Sequence, residues 1–300
     1  MSFTDERSAE SGVFVAGNKT LLVINGMSGN SDGVKAELIK YVCAKNDEVD
    51  EVILTSPEQD YDADGYDKLI VCGGDGTINN AINKVKDRDI DVFYFPCGTL
   101  NERAKSKNGD LAYGVKRLRL MGTVNDKLFS YVIAVGAFTD IGYRAKSKTK
   151  KKFKALAYCT KILSSYKVHK IGAEVVTDKY TFVGEYNLIM VIDSNRCFGF
   201  NFNRAYDARK KTMGLLLIKT TGKNNFFGKI RMFFPFFRAF FIGFDKDYRS
   251  RNIEFTETEK VEMILDGEYD FDVDGEHRKY GGFLHVEKID LKPRLFIMRR

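Results

Sequence analysis

Apolar residues along this chain fall into short runs separated by polar, periodic stretches, and the grammar changes near residue 126. In the first part, Thr20-Leu-Leu-Val-Ile24, Glu51-Val-Ile-Leu-Thr55, Tyr66-Asp-Lys-Leu-Ile-Val71 and Asp91-Val-Phe-Tyr-Phe95 read as strands, rich in β-branched and aromatic side chains and followed by turn formers. Between the first two, Ser31 can cap a helix whose apolar positions Val34, Leu38, Tyr41 and Val42 share one face. Ala112–Leu120 predicts a last helix. Strands alternating with helices imply parallel crossovers, hence a doubly wound α/β domain over residues 1–126 that binds ligands at the carboxyl ends of its strands.

From about Leu128 the runs lie closer together with fewer helical patterns between them. Leu128–Val135, Gly172–Thr177, Tyr186–Ile192, Leu215–Lys219 and Asn252–Thr256 predict a β-rich second domain over 127–288. One segment there is harder to place. Asn225–Phe244 carries more phenylalanines than one face of a surface helix needs, with Lys229, Arg231 and Arg238 among them and Pro235 expected to divide it into two short helices.

Three predicted strands end in polar turns. The most informative is Leu69-Ile-Val-Cys-Gly-Gly-Asp-Gly-Thr-Ile-Asn-Asn80, where a strand empties into Gly73, Gly74 and Gly76 around Asp75 and then starts a helix. Glycines leave room for amide N–H groups to point at a polyanion, and the helix start adds further donors, with Thr77 supplying a hydroxyl. No Lys follows as in a Walker A loop, and the third glycine of a dinucleotide fingerprint is missing. Asp75 beside phosphates calls for a bound cation or a proton to move, unless it only caps a helix. Pro96-Cys-Gly-Thr-Leu-Asn-Glu-Arg-Ala-Lys105 repeats the strand-to-turn-to-helix design with Gly98, Thr99 and Asn101, and Asn25-Gly-Met-Ser-Gly29 supplies the third turn with Asn25 and Ser28. Turns at the ends of neighbouring strands face one crevice.

These segments, with the late Val273-Asp-Gly-Glu276, occur in the order and approximate spacing of the diacylglycerol kinase catalytic-domain family, which includes bacterial lipid kinases and sphingosine kinases, and the chain resembles that family over most of its length. The resemblance implies a C-terminal β-sandwich, an active site in the interdomain cleft, and a final segment, 289–300, returning to the first domain. It implies transfer of the γ-phosphoryl group of ATP, with Mg²⁺, to a lipid hydroxyl. Asp274 would then be the general base with Glu276 beside it, and Asp75 would act through Mg²⁺ or on the acceptor proton. Gly73, Gly74, Gly76, Thr77, Gly98, Thr99 and Asn101 would hold phosphates, Asn25, Ser28 and Thr55 the rest of the nucleotide, and Asp75 with Glu102 the metal. Asp266-Gly-Glu268 is a second Asp-Gly-Glu; Asp274 is preferred because Gly281-Gly-Phe-Leu-His-Val286 follows it as the family's closing strand does.

The chain departs from the family at acidic positions. Asn80 stands where a Glu is usual, Glu102 replaces an Asp, Leu120 replaces another, and Met213-Gly214 stands for Asp-Gly. A catalytically silent nucleotide- or lipid-binding protein of the same fold is therefore the second reading. An NAD kinase is the third, set back by the lack of a Gly-Ser-Thr-Ala-Tyr-like segment.

Composition fits a globular cytoplasmic enzyme: 300 residues, 44% of them hydrophobic, with five cysteines lacking Cys-x-x-Cys spacing. The polar, acidic amino terminus does not read as a signal peptide, and no apolar run is long enough to cross a bilayer. Net charge is +7, with Lys146, Lys148, Lys150, Lys151, Lys152 and Lys154 clustered before a helical pattern at Leu156, Tyr158, Ile162 and Leu163. That cluster and the Phe- and Arg-rich segment 225–244 suit an anionic membrane surface, giving a peripheral location at the inner face of the membrane. No nucleic-acid module is present. A homodimer stays compatible with the sequence.

Overall fold

A computed structural model of the chain describes residues 19–28, 42, 47–98, 101–105, 110–112, 115–137, 168–197, 200–221 and 226–298. The chain divides into two compact units, one of residues 1–105, 109–119 and 290–300, the other of residues 106–108 and 120–289.

The first unit is built on β1 (Lys19–Asn25), β2 (Glu48–Leu54), β3 (Lys68–Gly73) and β4 (Asp91–Pro96). All pair in parallel, in the order β2-β1-β3-β4. β3 is buried throughout, as expected of a strand covered on both faces. Helix α1 (Asp75–Lys84) joins β3 to β4 and buries Ile78, Ala81 and Ile82. It is followed, beyond β4, by the single turn α2 (Glu102–Lys105). Lys68, at the start of β3, is buried against Asp47 at 2.6 Å and donates to the Val42 carbonyl, so the entry to the central strand is fixed by a satisfied charge pair. Of the helix expected after β1, only Val42 lies within the described residues.

The segment expected to form a helix over 112–120 is instead β-structure: β5 (Asp110–Ala112) and β6 (Val115–Val124) form an antiparallel pair. Val115 and Leu118 have helical spacing, but Leu118 and Leu120 are two apart, with Arg119 exposed between them. The period of two wins because β5 and later β-structure supply the backbone partners.

The second unit contains β7 (Lys127–Phe129), β8 (Val132–Gly136), β9 (Ile171–Thr177), β10 (Thr181–Ile192), β11 (Met213–Lys219), helix α3 (Phe226–Phe237), β12 (Tyr248–Arg249), β13 (Ile253–Thr258), β14 (Lys260–Val273) and the long β15 (Glu276–Met298). The run 128–135, expected as one strand, breaks at Ser130 and Tyr131 into β7 and β8. β10 and β14 each pair with β8 along one part and with β9 along another. Their ladders shift between Tyr186 and Leu188 and between Ile264 and Glu268. These four strands therefore close on themselves around a core that includes Phe129, Ile133, Val175, Ile189, Met263 and Phe271.

One expectation on 225–244 changes. Pro235 does not divide the segment: α3 runs through it from Phe226 to Phe237, and the irregularity is a π-helical turn over Arg238–Ile242. Proline removes only its own N–H bond to the carbonyl four residues back, and the wider turn that follows carries the chain into Gly243 at φ 74°. Phe236 and Phe240 belong to the core with Met232, Ala239, Phe202 and Phe244. The Lys-rich run 146–154 lies outside the described residues.

The last part of β15 belongs to the first unit, where Arg294–Ile297 pairs in parallel with Asp91–Tyr94 of β4. Arg294 meets the buried Asp91 at 2.6 Å and Phe296 stacks on Phe93 at 5.0 Å.

Candidate functional site

In the first unit the strand order reverses direction between β1 and β3, since the chain goes from β1 outward to β2 and then crosses back to β3. Loops diverge at such a point, leaving a crevice at the strands' carboxyl ends. Asn25, Gly73 and Cys97–Gly98 follow these ends, and hydrogen bonds tie the three turns together. The Asn25 amide donates to the Thr77 hydroxyl at 2.8 Å, while the Cys97 and Gly98 N–H groups donate to the Gly73 carbonyl at 2.7 and 3.1 Å.

The glycines are required by this approach. A Cβ on Gly98 would lie 2.6 Å from the Gly74 Cα and 2.7 Å from Asn101 Oδ1, and one on Gly73 would lie 2.5 Å from the Thr77 hydroxyl. Asn101 sits at φ 48° and donates to the Gly98 carbonyl at 2.7 Å, with its Oδ1 buried and unpartnered. Gly74 is the N-cap of α1 and contributes no side-chain cap, so the first N–H groups of that helix keep their capacity for an anion. Ser28 donates its N–H to the Asn25 carbonyl. Thr55 is exposed and engaged elsewhere, its hydroxyl and N–H both donating to Gln59. Thr99 lies outside the described residues.

Asp75 caps a helix, though not its own. Its two carboxylate oxygens accept the N–H groups of Glu102 and Arg103 at 2.8 and 3.1 Å, which anchors α2 to the glycine turn from 27 residues away. Burial pushes the Asp75 carboxyl up to about 6, against the pull of those two N–H groups, and the nearby Glu102 raises it further. Each oxygen retains lone-pair capacity. Mg²⁺ arriving on phosphates takes one or two protein carboxylates and keeps water for the rest, so Asp75 and the buried Glu102 form a chemically fitting donor set. No cluster of three metal-ligating side chains exists among the described residues.

In the second unit, the late Asp-Gly-Glu forms the turn between β14 and β15. Asp274 and Gly275 have φ of 55° and 89°, the left-handed pair that a two-residue hairpin turn needs. The Asp274 carboxylate is buried and accepts the N–H groups of Ser130, Tyr131 and Val132, at 2.8 Å for Tyr131 and 3.1 Å for Val132. That clamp is why the expected strand 128–135 breaks. Glu276 is half-buried and pairs with Arg278 at 2.8 Å. Asp266, of the other Asp-Gly-Glu, is exposed at the ladder shift of β14 and accepts the Tyr269 hydroxyl.

Asp272 was not singled out by the sequence. Its Oδ1 accepts the Gly275 N–H at 2.6 Å and its Oδ2 is buried without a partner, with burial pushing the carboxyl up to about 6. The available signal was its phase: Asp272 sits two residues before Asp274 on a strand whose neighbours Phe271 and Val273 are apolar.

A model of the family described as "Diacylglycerol kinase catalytic domain" matches residues 19–134, the stretch holding all three polar turns. The chain is 27% identical over 248 residues to a protein of Bacillus subtilis named diacylglycerol kinase, covering 78% of both chains. A protein of the same name from Staphylococcus saprophyticus is 30% identical over 149 residues, 45% of this chain and 48% of that one. Among solved structures, that of a diacylglycerol kinase from Bacillus anthracis superposes with a TM-score of 0.63 over 96% of this chain and 98% of that chain, at 16% identity, a likeness of fold. What this chain is similar to, over residues 19–134, is thus the diacylglycerol kinase catalytic-domain family.

Proposed function

We propose that the protein is an ATP-dependent lipid kinase, transferring the γ-phosphoryl group of ATP to the hydroxyl of a diacylglycerol-like lipid at a membrane surface. The observation that carries this reading is the joining of three polar turns at the strand reversal of the first unit, in a chain similar to this family. Such transfer proceeds through a loose transition state, so positioning and charge neutralisation matter more than covalent catalysis.

In this reading, the α1 amino terminus, Gly73, Gly74, Gly76 and Thr77 cradle phosphates, with Gly98 and Asn101 on the other side and Asn25 and Ser28 toward the rest of the nucleotide. Asp75 and Glu102 would hold Mg²⁺, which when bound neutralises charge on the phosphates. Asp274 takes the acceptor's proton. Three N–H donors from Ser130, Tyr131 and Val132 fix that carboxylate in place, as positioning for a proton that leaves late requires. Glu276 lies beside it in the turn.

A silent nucleotide-binding protein is the second reading, favoured by one observation: both Asp75 oxygens already anchor α2. The two readings separate in one assay. Labelled γ-phosphate from ATP with Mg²⁺ is offered to a panel of vesicle-borne lipids, comparing wild type with Asp75→Asn and Asp274→Asn. Labelled lipid that both variants fail to make supports the kinase and names its acceptor. No transfer to any lipid, with ATP binding intact, leaves the silent binder, and label on added NAD without lipid would point to an NAD kinase.

A further inference from the structure

Helix α3 and the π-helical turn after it have two faces. Met232, Phe236, Ala239 and Phe240 recur at helical spacing and pack into the core, the two rings only 7% and 8% exposed. Phe234, Phe237 and Phe241 recur at the same spacing on the opposite face and are 66%, 41% and 41% exposed, with Ile242 next to them also exposed. The Phe237 and Phe241 rings stack at 5.1 Å, and Phe233 stacks on Phe237 at 5.8 Å, so the outer face is a continuous aromatic ridge. Leaving these rings in water forgoes the stabilisation that burial would bring, and contiguous exposed apolar surface marks a docking site.

The charge around the ridge indicates what covers it. Between Asp207 and Asp245 the sequence carries eight Lys and Arg and not one Asp or Glu, two of the eight, Arg209 and Lys219, being paired with Asp207 and Glu254. Arg231, one turn before Phe234, is exposed, whereas Arg238 is turned back over the Tyr248 ring at 4.3 Å. A second copy of this chain would bring two such cationic stretches together, whereas an anionic bilayer offers hydrocarbon to the rings and phosphates to the cations. No helix among the described residues is long and apolar enough to cross a membrane, so this element would lie in the interface plane.

We infer that the outer ridge Phe234, Phe237, Phe241 and Ile242 is the surface by which the protein inserts into an anionic bilayer, with Arg231 at its border; this names the partner in the lipid-kinase reading and rests on that reading only for its purpose. Phe236 and Phe240, though in the same Phe-rich run, are structural.

The test is co-sedimentation, without nucleotide, on vesicles of phosphatidylglycerol and phosphatidylcholine, comparing wild type with Phe234→Ser, Phe241→Ser and Arg231→Glu. Each ring removed is expected to lower partitioning by roughly tenfold or more, since it forfeits the burial of one phenyl group. Arg231→Glu is expected to weaken binding in low salt and little in high salt. Thermal melting and transfer of phosphate to a short-chain, water-soluble diacylglycerol should stay unchanged in all three. Unchanged vesicle binding in both Ser variants would overturn the inference, as would light scattering showing that they dissolve a dimer. Because the vesicle arm needs no ATP, failure of the kinase assay leaves its outcome intact.

Discussion

The glycine turns of the first unit and the Asp274 turn of the second hold their key carboxylates in the same way, by backbone N–H groups, yet the two carboxyls differ in environment. Asp75 accepts two N–H groups from the start of a single helical turn, and burial dominates, pushing it up to about 6. Asp274 accepts three from a broken strand more than 140 residues away in the chain, in a turn that also buries Asp272. The first arrangement is assembled from neighbouring turns on one parallel sheet. The second exists only once distant strands have paired. A phosphate cradle needs many weak donors along one stretch of backbone, which a contiguous motif can encode; a fixed carboxylate needs its donors brought to it.

The largest expected effect is at Asp274. Asp274→Ala leaves three buried N–H groups without their acceptor, at about 1–3 kcal/mol each, so denaturant unfolding should show a loss of several kcal/mol. Asp274→Asn keeps an acceptor and should fold, while losing roughly 10²–10⁴-fold in phosphoryl transfer if the carboxylate takes the proton. A variant equally impaired in folding and in activity would reduce Asp274 to a structural clamp and dissolve the distinction between the turns.

Next is the pH dependence contributed by Asp272. Its carboxyl is raised from the ordinary value to about 6 in the folded state, so folding favours the protonated form. That stabilisation is present below the unfolded value near 3.8 and is lost as pH rises through about 6. Asp272→Asn, which cannot ionise, should therefore gain on wild type between pH 4 and pH 7, by up to about 3 kcal/mol at 1.4 kcal/mol per unit. Melting temperatures of both proteins across that range check it; parallel curves would show that folding does not raise the Asp272 carboxyl.

The smallest effect separates the cradle from the second unit. Gly98→Ala places a methyl against the Gly74 backbone and Asn101. ATP affinity, read by calorimetry, should fall by about tenfold or more because the two turns must part. Vesicle binding through α3 should not move.

Much of the turn geometry was legible because glycine, a polar turn and a helix start lie within a dozen residues. The role of Asp75 was legible only in outline. Capping entered only as the alternative to a cation or proton role, and for the helix that follows Asp75, whereas the helix it caps begins at Glu102, reachable only through β4. Residues 112–120 misled because their apolar spacing satisfies both a helix and a strand, and local propensity is too weak to choose. Pro235 misled because a helix with a buried face tolerates the loss of one hydrogen bond. In the Phe-rich run every ring has the same chemistry, and one residue's difference in phase decides whether it is core or surface.

The sequence by itself determined the parallel strands of the first unit, the three polar turns at their ends and the cationic, aromatic character of 225–244, since each is written in contiguous residues whose intrinsic preferences agree. Only the tertiary structure decided that Asp75 anchors α2, that Asp274 breaks the 128–135 strand while Asp266 stays exposed, and which phenylalanines of α3 face outward. Those outcomes depend on hydrogen-bond partners and packing neighbours separated by tens to more than a hundred residues, and no local pattern carries the energy of contacts that form only when the chain has folded.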